Sequence, residues 1–136
     1  GGRHIFLFSD PVPGGRYGYS WDGWAEKNPE TFFYTGEGAV GDQEFTRGNK
    51  ILRDSAAEGR QVHLFTADGH TGGRRGRTHR YLGQFTIDPQ QPWRREDAPD
   101  RTGETRSVIV FRLNRLGTSP APQTHTESYT AEPANR

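Results

Sequence analysis

The sequence predicts a small α+β domain in which strands dominate. Two short, continuous apolar runs carry that prediction, Ile5-Phe6-Leu7-Phe8 and Val108-Ile109-Val110-Phe111, because strands buried on both faces read this way. Only one segment has helical spacing. Eight Phe, five Tyr and three Trp supply the bulk that an apolar content of 29% would otherwise lack, so the core is expected to be small and rich in rings.

Along the chain, His4 to Ser9 is the first expected strand and Thr31 to Thr35 the second. Residues 10 to 30 between them are rich in Gly, Pro, Asp and Asn and read as loop. From Asp42 to Ala57, Phe45, Ile51, Leu52 and Ala56 fall along one broad side of a helix, with Asp42 as its N-cap and Gly48 as its weak point. Gln61 to Thr66 and Arg80 to Ile87 are further strands. In the latter, Tyr81, Phe85 and Ile87 recur at period two and Gly83 marks a bend. Residues 67 to 79 read as loop, and Glu96, Asp97 and Asp100 as an acidic one. Ser107 to Leu113 is the last strand expected. From Gly117 the pattern gives way to Thr-Ser-Pro-Ala-Pro-Gln, so residues 1–116 are expected to fold and 117–136 to form a disordered tail or linker.

Composition excludes several classes. The chain has no cysteine, which removes disulfides, thiol catalysis and zinc-finger sites and fits an intracellular, cytoplasmic protein. Its five histidines lack metal-ligand spacing, so neither a metal nor a cofactor is expected. No apolar run is long enough to cross a bilayer, and none resembles a signal peptide. There is no methionine either, so the chain is expected to be a segment of a larger protein. A formal charge of +1 argues against coating nucleic acid by charge alone, but its distribution is uneven. Arg74, Arg75 and Arg77, followed by His79 and Arg80, form a basic stretch whose guanidinium forks suit phosphate.

Between Tyr17 and Gly36, aromatic rings crowd around one carboxylate, Asp22, and one hydroxyl, Thr35, in a stretch punctuated by glycine. That is the inventory of a pocket for a flat polar ring. Rings supply stacking faces, the carboxylate accepts from an exocyclic amine, and glycine lets backbone N–H groups come close to the guest. A nucleobase taken out of its stack meets these demands. So does a sugar, which keeps a carbohydrate-binding β-domain as the alternative. Gly36-Glu37-Gly38-Ala39-Val40-Gly41 also spells the dinucleotide fingerprint G-x-G-x-x-G. The chain lacks the repeated strand–helix alternation that such a fold needs, so these glycines read instead as the rim of the aromatic pocket. Asp42, Glu44 and Lys50 have the wrong spacing for a nuclease carboxylate cluster, and no catalytic residue is expected in this segment.

The succession Gly18-Tyr19-x-x-Asp22, Phe33-Tyr34-Thr35-Gly36-x-Gly38, Asp42-Gln43-x-Phe45-Thr46-x-x-Asn49-Lys50-x-Leu52, Gly59-x-x-Val62 and Tyr81-x-Gly83 resembles the SET- and RING-associated (SRA) domain. It is most similar to the prokaryotic version that accompanies HNH nuclease domains in modification-dependent restriction enzymes of the McrA type. The resemblance implies a PUA-like fold, a curved and partly closed β-sheet flanked by one or two helices. It implies a reader of 5-methylcytosine, or 5-hydroxymethylcytosine, in double-stranded DNA within the bacterial nucleoid, tied to a nuclease domain elsewhere in the protein. Tyr19 and Tyr34 would sandwich the everted base, Asp22 would accept from its amine, and Thr35 and Gly36 would hold its remaining polar edge. Arg16, Arg47, Lys50, Arg74, Arg75 and Arg77 are the candidates for DNA backbone and groove contact. Only Ala39, Val40 and Gly41 separate the Gly-x-Gly turn from Asp42, so a finger inserted there, as in the eukaryotic readers, is absent from the sequence.

Overall fold

The computed structural model describes residues 3–9, 21–67 and 79–117, and the backbone of 123–125. In chain order its elements are β1 (His4–Ser9), β2 (Gly23–Ala25), β3 (Asn28–Thr35), α1 (Arg47–Arg53), β4 (Gln61–Ala67), β5 (His79–Ile87), β6 (Trp93–Pro99), β7 (Thr105–Arg115) and β8 (Gln123–His125). All strands belong to one sheet, in the order β1-β4-β5-β7-β3-β2, with β6 added on β7 and β8 on β5. The β1–β4 pair is parallel and every other pair antiparallel. Among the described residues no ladder joins the end strands β1 and β2, so the sheet they form is not closed. Of the expected tail, three residues pair with β5; apart from Gly117, the rest lies outside the described residues.

The long strand β7 organises the domain. One of its edges pairs with β3 from Thr31↔Asn114 to Thr35↔Val110, while the other is shared by β6 and then β5. Its apolar run is buried on both faces, as its sequence predicts. Ile109 and Phe111 enter the larger core with Phe32, Leu64 and Phe85, and Val108 and Val110 enter a smaller one with Ala98, Trp21 and Phe33. The similar run in β1 has a different fate. This strand is the end of the sheet path, and Phe6 is 55% exposed, stacked at 5.3 Å on the His63 ring.

Three expectations are corrected. The helix is seven residues, Arg47–Arg53, instead of the span from Asp42 to Ala57, and Asp42 is not its cap: its Oδ1 accepts from the Ser107 N–H at 2.8 Å. Tyr81 does not share a face with Phe85 and Ile87. The register slips by one residue at Leu82–Gly83, where Gly83 has φ +116°, so Leu82 joins Phe85 in the core and Tyr81 turns to Phe65 and His63 on the other side. Such a bulge reverses the alternation beyond it, and a positive φ is open to glycine at little cost. Finally, Glu96 and Asp97 lie not in a loop but on β6, a strand whose ladder with β7 is continuous from Trp93↔Phe111 to Pro99↔Thr105.

Two carboxylates pin the ends of β6 and fix an acid limit on stability. Asp88 is held down to about 2, first by the Asn114 amide and then by the backbone N–H of Gln91 and Gln90. Asp100 is held well below the usual carboxylate range, chiefly by the Thr102 hydroxyl and the Gly41 N–H. Depressed carboxylates contribute stability that is present above the unfolded value of 3.8 and is lost as pH falls towards the folded value. Thermal melting should therefore decline steeply below about pH 4, and Asp88→Asn should flatten part of that decline. An identical acid limb in Asp88→Asn would contradict the assignment.

Candidate nucleic-acid interface

The candidate site joins the end of β1 to the end of β3 through one carboxylate. Asp22, just before β2, is 8% exposed. Its Oδ2 accepts from the Ser9 hydroxyl at 2.6 Å, at the end of β1, and its Oδ1 from the Thr35 N–H at 2.7 Å, at the end of β3. One carboxylate thus bridges a seam between β1 and β3, which no ladder joins among the described residues. Both oxygens are hydrogen-bonded to the ends of two different strands. The bridge holds the group in one orientation before any guest arrives.

Directly after Thr35 the chain enters the Gly36–Gly41 turn, fixed from below by two side-chain amides. Gln43 donates to the carbonyls of Gly36 at 2.7 Å and Gly38 at 3.2 Å, and accepts from the Ile109 N–H at 2.9 Å. Asn49, the third residue of α1, accepts from the Glu37 N–H at 2.8 Å and donates to the carbonyls of Glu37 and Glu44. Arg106, 4% exposed, places one guanidinium nitrogen between the carbonyls of Gly38 and Gly41, at 2.8 and 2.9 Å. The Gly36 N–H adds a bond to the Ile109 carbonyl at 2.7 Å. The G-x-G-x-x-G spelling therefore marks a braced turn, and the next helix begins only at Arg47.

The structure brings Asp22, Thr35 and Gly36 together. Tyr34 is adjacent in the chain but points to the opposite face of β3; its ring is 3% exposed, packs in the main core and borders a cavity of about 260 Å³ between β1 and α1. Arg47 and Lys50 are exposed on α1, and Arg47 takes the left-handed conformation, with φ +50°. A non-glycine residue held there costs of order 1–3 kcal/mol and marks a site where the surroundings over-determine the backbone. Tyr19, Arg16, Arg74, Arg75 and Arg77 lie outside the described residues. Sequence reasoning missed the roles of Ser9, Gln43, Asn49 and Arg106. Their signal was weak: Gln43 and Asn49 are polar residues flanking Phe45, with nothing local to show that both turn inward.

An open, mostly antiparallel sheet with one short helix among the described residues matches the fold of solved SRA domains. In the ScoMcrA structure described as "sulfur binding domain and SRA domain of ScoMcrA complexed with phosphorothioated DNA", the match covers 83% of this chain at 22% identity, with a TM-score of 0.62. KRYPTONITE in complex with mCHG DNA and SAH matches 85% of the chain at 20% identity and TM-score 0.57. The SUVH5 SRA–fully methylated CG DNA complex matches 85% at 19% identity and TM-score 0.54. The protein belongs to the ScoMcrA-like SRA domain family, whose model matches residues 2–135. It spans 30% of the ScoMcrA chain, 23% of the KRYPTONITE chain and 66% of the SUVH5 chain. Among curated proteins, none matches its sequence. No helix among the described residues is long and apolar enough to cross a membrane.

Proposed function

We propose that this domain reads 5-modified cytosine in duplex DNA by taking the base out of the stack, and that it does so as the targeting module of a larger protein that carries the nuclease. The reading rests above all on the Asp22 carboxylate, buried and oriented by Ser9 and Thr35 at the sheet seam. A fixed acceptor there suits the N4 amine of cytosine and repels the O4 of thymine. Thr35 and Gly36, held by Asp22, Ile109 and Gln43, fix the position of the turn that borders the rest of the polar edge. Tyr34, buried at the rim of the cavity between β1 and α1, offers its ring to the base from that side, and Tyr19 covers the other face of the base. Stacking returns about 1–3 kcal/mol per ring, comparable to the few kcal/mol that eversion costs. Burying the 5-methyl group adds only about 0.8 kcal/mol, roughly a fourfold preference, so sharper discrimination comes from the shape of the pocket. The solved complexes of related SRA domains with methylated DNA support the same partner.

The test is Asp22→Asn, titrated against one duplex bearing cytosine, 5-methylcytosine or 5-hydroxymethylcytosine at a single position. Asparagine keeps an oxygen for the Thr35 N–H and can donate to Ser9 Oγ, so the fold should survive. Affinity for the modified duplexes should fall about tenfold or more, as expected for losing a charge-assisted hydrogen bond, and the preference over plain cytosine should vanish. Weak, salt-sensitive binding should persist. Unchanged selectivity in a folded variant would overturn the role given to Asp22.

A further inference from the structure

On the sheet face that carries the Thr35 side chain, two arginines flank one ring. Phe33 of β3 stands directly opposite Arg112 of β7, and the Arg112 guanidinium carbon lies 5.5 Å from the ring centroid. Arg94 of β6 approaches the same ring at 4.5 Å and the Trp21 ring at 5.6 Å. Together with Trp93, Gln90 and Gln91 they line an open groove of about 390 Å³.

Each guanidinium is anchored through its Nε and not through its outer nitrogens. Arg94 Nε donates to Glu96 at 2.6 Å, and Arg112 Nε lies 3.4 Å from Asp88. Among the described residues no hydrogen bond engages the Nη atoms of either. Asp88 also accepts from the N–H groups of Gln90 and Gln91, which fixes the lip of the groove. Two forks preset by stacking and by a carboxylate behind them, with their outer donors unused, are arranged to grip a tetrahedral or planar oxyanion.

The groove lies one step along β3 from the Asp22–Thr35 seam, on the sheet face opposite to the Tyr34 ring. Phe33 precedes Thr35 by two residues on one strand, about 7 Å away on the same face, and Trp21 is the neighbour of Asp22. That spacing matches one step along a nucleic-acid strand. We propose that this groove is a second binding site, which takes a backbone phosphate of the DNA strand flanking the everted base. The inference rests on the reading above for the identity of the polymer, not for the chemistry of the grip.

The decisive comparison uses the whole 136-residue chain, its Arg94→Gln/Arg112→Gln double variant, and duplexes whose phosphates beside the modified position are replaced by uncharged methylphosphonates. The double variant should bind modified and plain duplexes alike about 5- to 25-fold more weakly, with the slope of log K against log salt shallower by about one to two. Wild-type protein on the methylphosphonate duplex should show the same loss, and combining the two changes should add little. An unchanged slope, or losses that multiply, would overturn the proposal. Should the double variant melt below the wild type, the methylphosphonate series on the wild-type domain decides alone. Failure here with selectivity still lost in Asp22→Asn would sink the groove and leave the base site standing; the reverse pattern would do the opposite.

Discussion

Phe111→Ala is expected to remove about 3–5 kcal/mol of folding stability, the usual cost of deleting a fully buried aromatic side chain. Phe111 has no exposed surface and sits in the middle of β7, paired with Tyr34 of β3 on one side and Trp93 of β6 on the other. Its ring meets Phe45 edge-on at 6.3 Å, which ties the segment leading into α1 to the sheet. Against a total of about 5–15 kcal/mol, the loss consumes much of the margin. Urea unfolding followed by tryptophan fluorescence should show a lower midpoint with an unchanged slope. Because the backbone of Ile109 both accepts from Gly36 and donates to Gln43, binding of DNA should fall with the fold and not independently of it. A loss below about 1 kcal/mol would mean that the core re-forms around the gap, contrary to the close packing described.

The same strand shows why some elements were legible in the sequence and others not. β7 announces itself because both its faces are buried, so every position carries the signal. β6 does not, since it lies along β7 with Arg94, Arg95, Glu96 and Asp97 in its ladder, and a charged strand leaves no apolar period to read. Charges at such an edge also discourage pairing with another chain. The shift of Tyr81 to the far face depends on a one-residue slip, which composition cannot reveal, although Gly83 hinted at an irregularity. The helix was read too long because Ile51 and Ala56 fit the apolar period while remaining exposed, so only Phe45 and Leu52 pack inward.

For the site, the residue types were visible and their partnerships were not. Asp22 and Thr35 stood out beside aromatic residues, but Ser9 lies thirteen positions from Asp22 and reaches it only because β1 ends beside β3. Tyr34 was read as a ring on show, whereas strand alternation turns it inward when Thr35 holds the seam. In the proposed reading, that burial suits a wall and not a lid, and the covering ring falls to Tyr19.

Gly36→Ala is expected to damage the site more than its small size suggests. A Cβ added at Gly36 would lie 2.7 Å from Asn49 Oδ1 and 3.1 Å from Gln43 Oε1. Neither amide is free to retreat: Asn49 Oδ1 holds the Glu37 N–H, and Gln43 Oε1 holds the Ile109 N–H. Displacing either one strands a backbone group, so the cost should be about 1–3 kcal/mol, and affinity for modified duplex should drop in step as the turn after Thr35 shifts. Gly48→Ala supplies the control. Its added Cβ would collide with the Glu37 carboxylate, the far end of a flexible side chain that can swing into solvent, while a helical alanine gains up to about 1 kcal/mol over glycine. Melting and titration of the two variants side by side should therefore separate them, with Gly48→Ala near wild type and Gly36→Ala impaired in both. If the two behave alike, the amide brace beneath the turn does not hold the base-facing backbone in place.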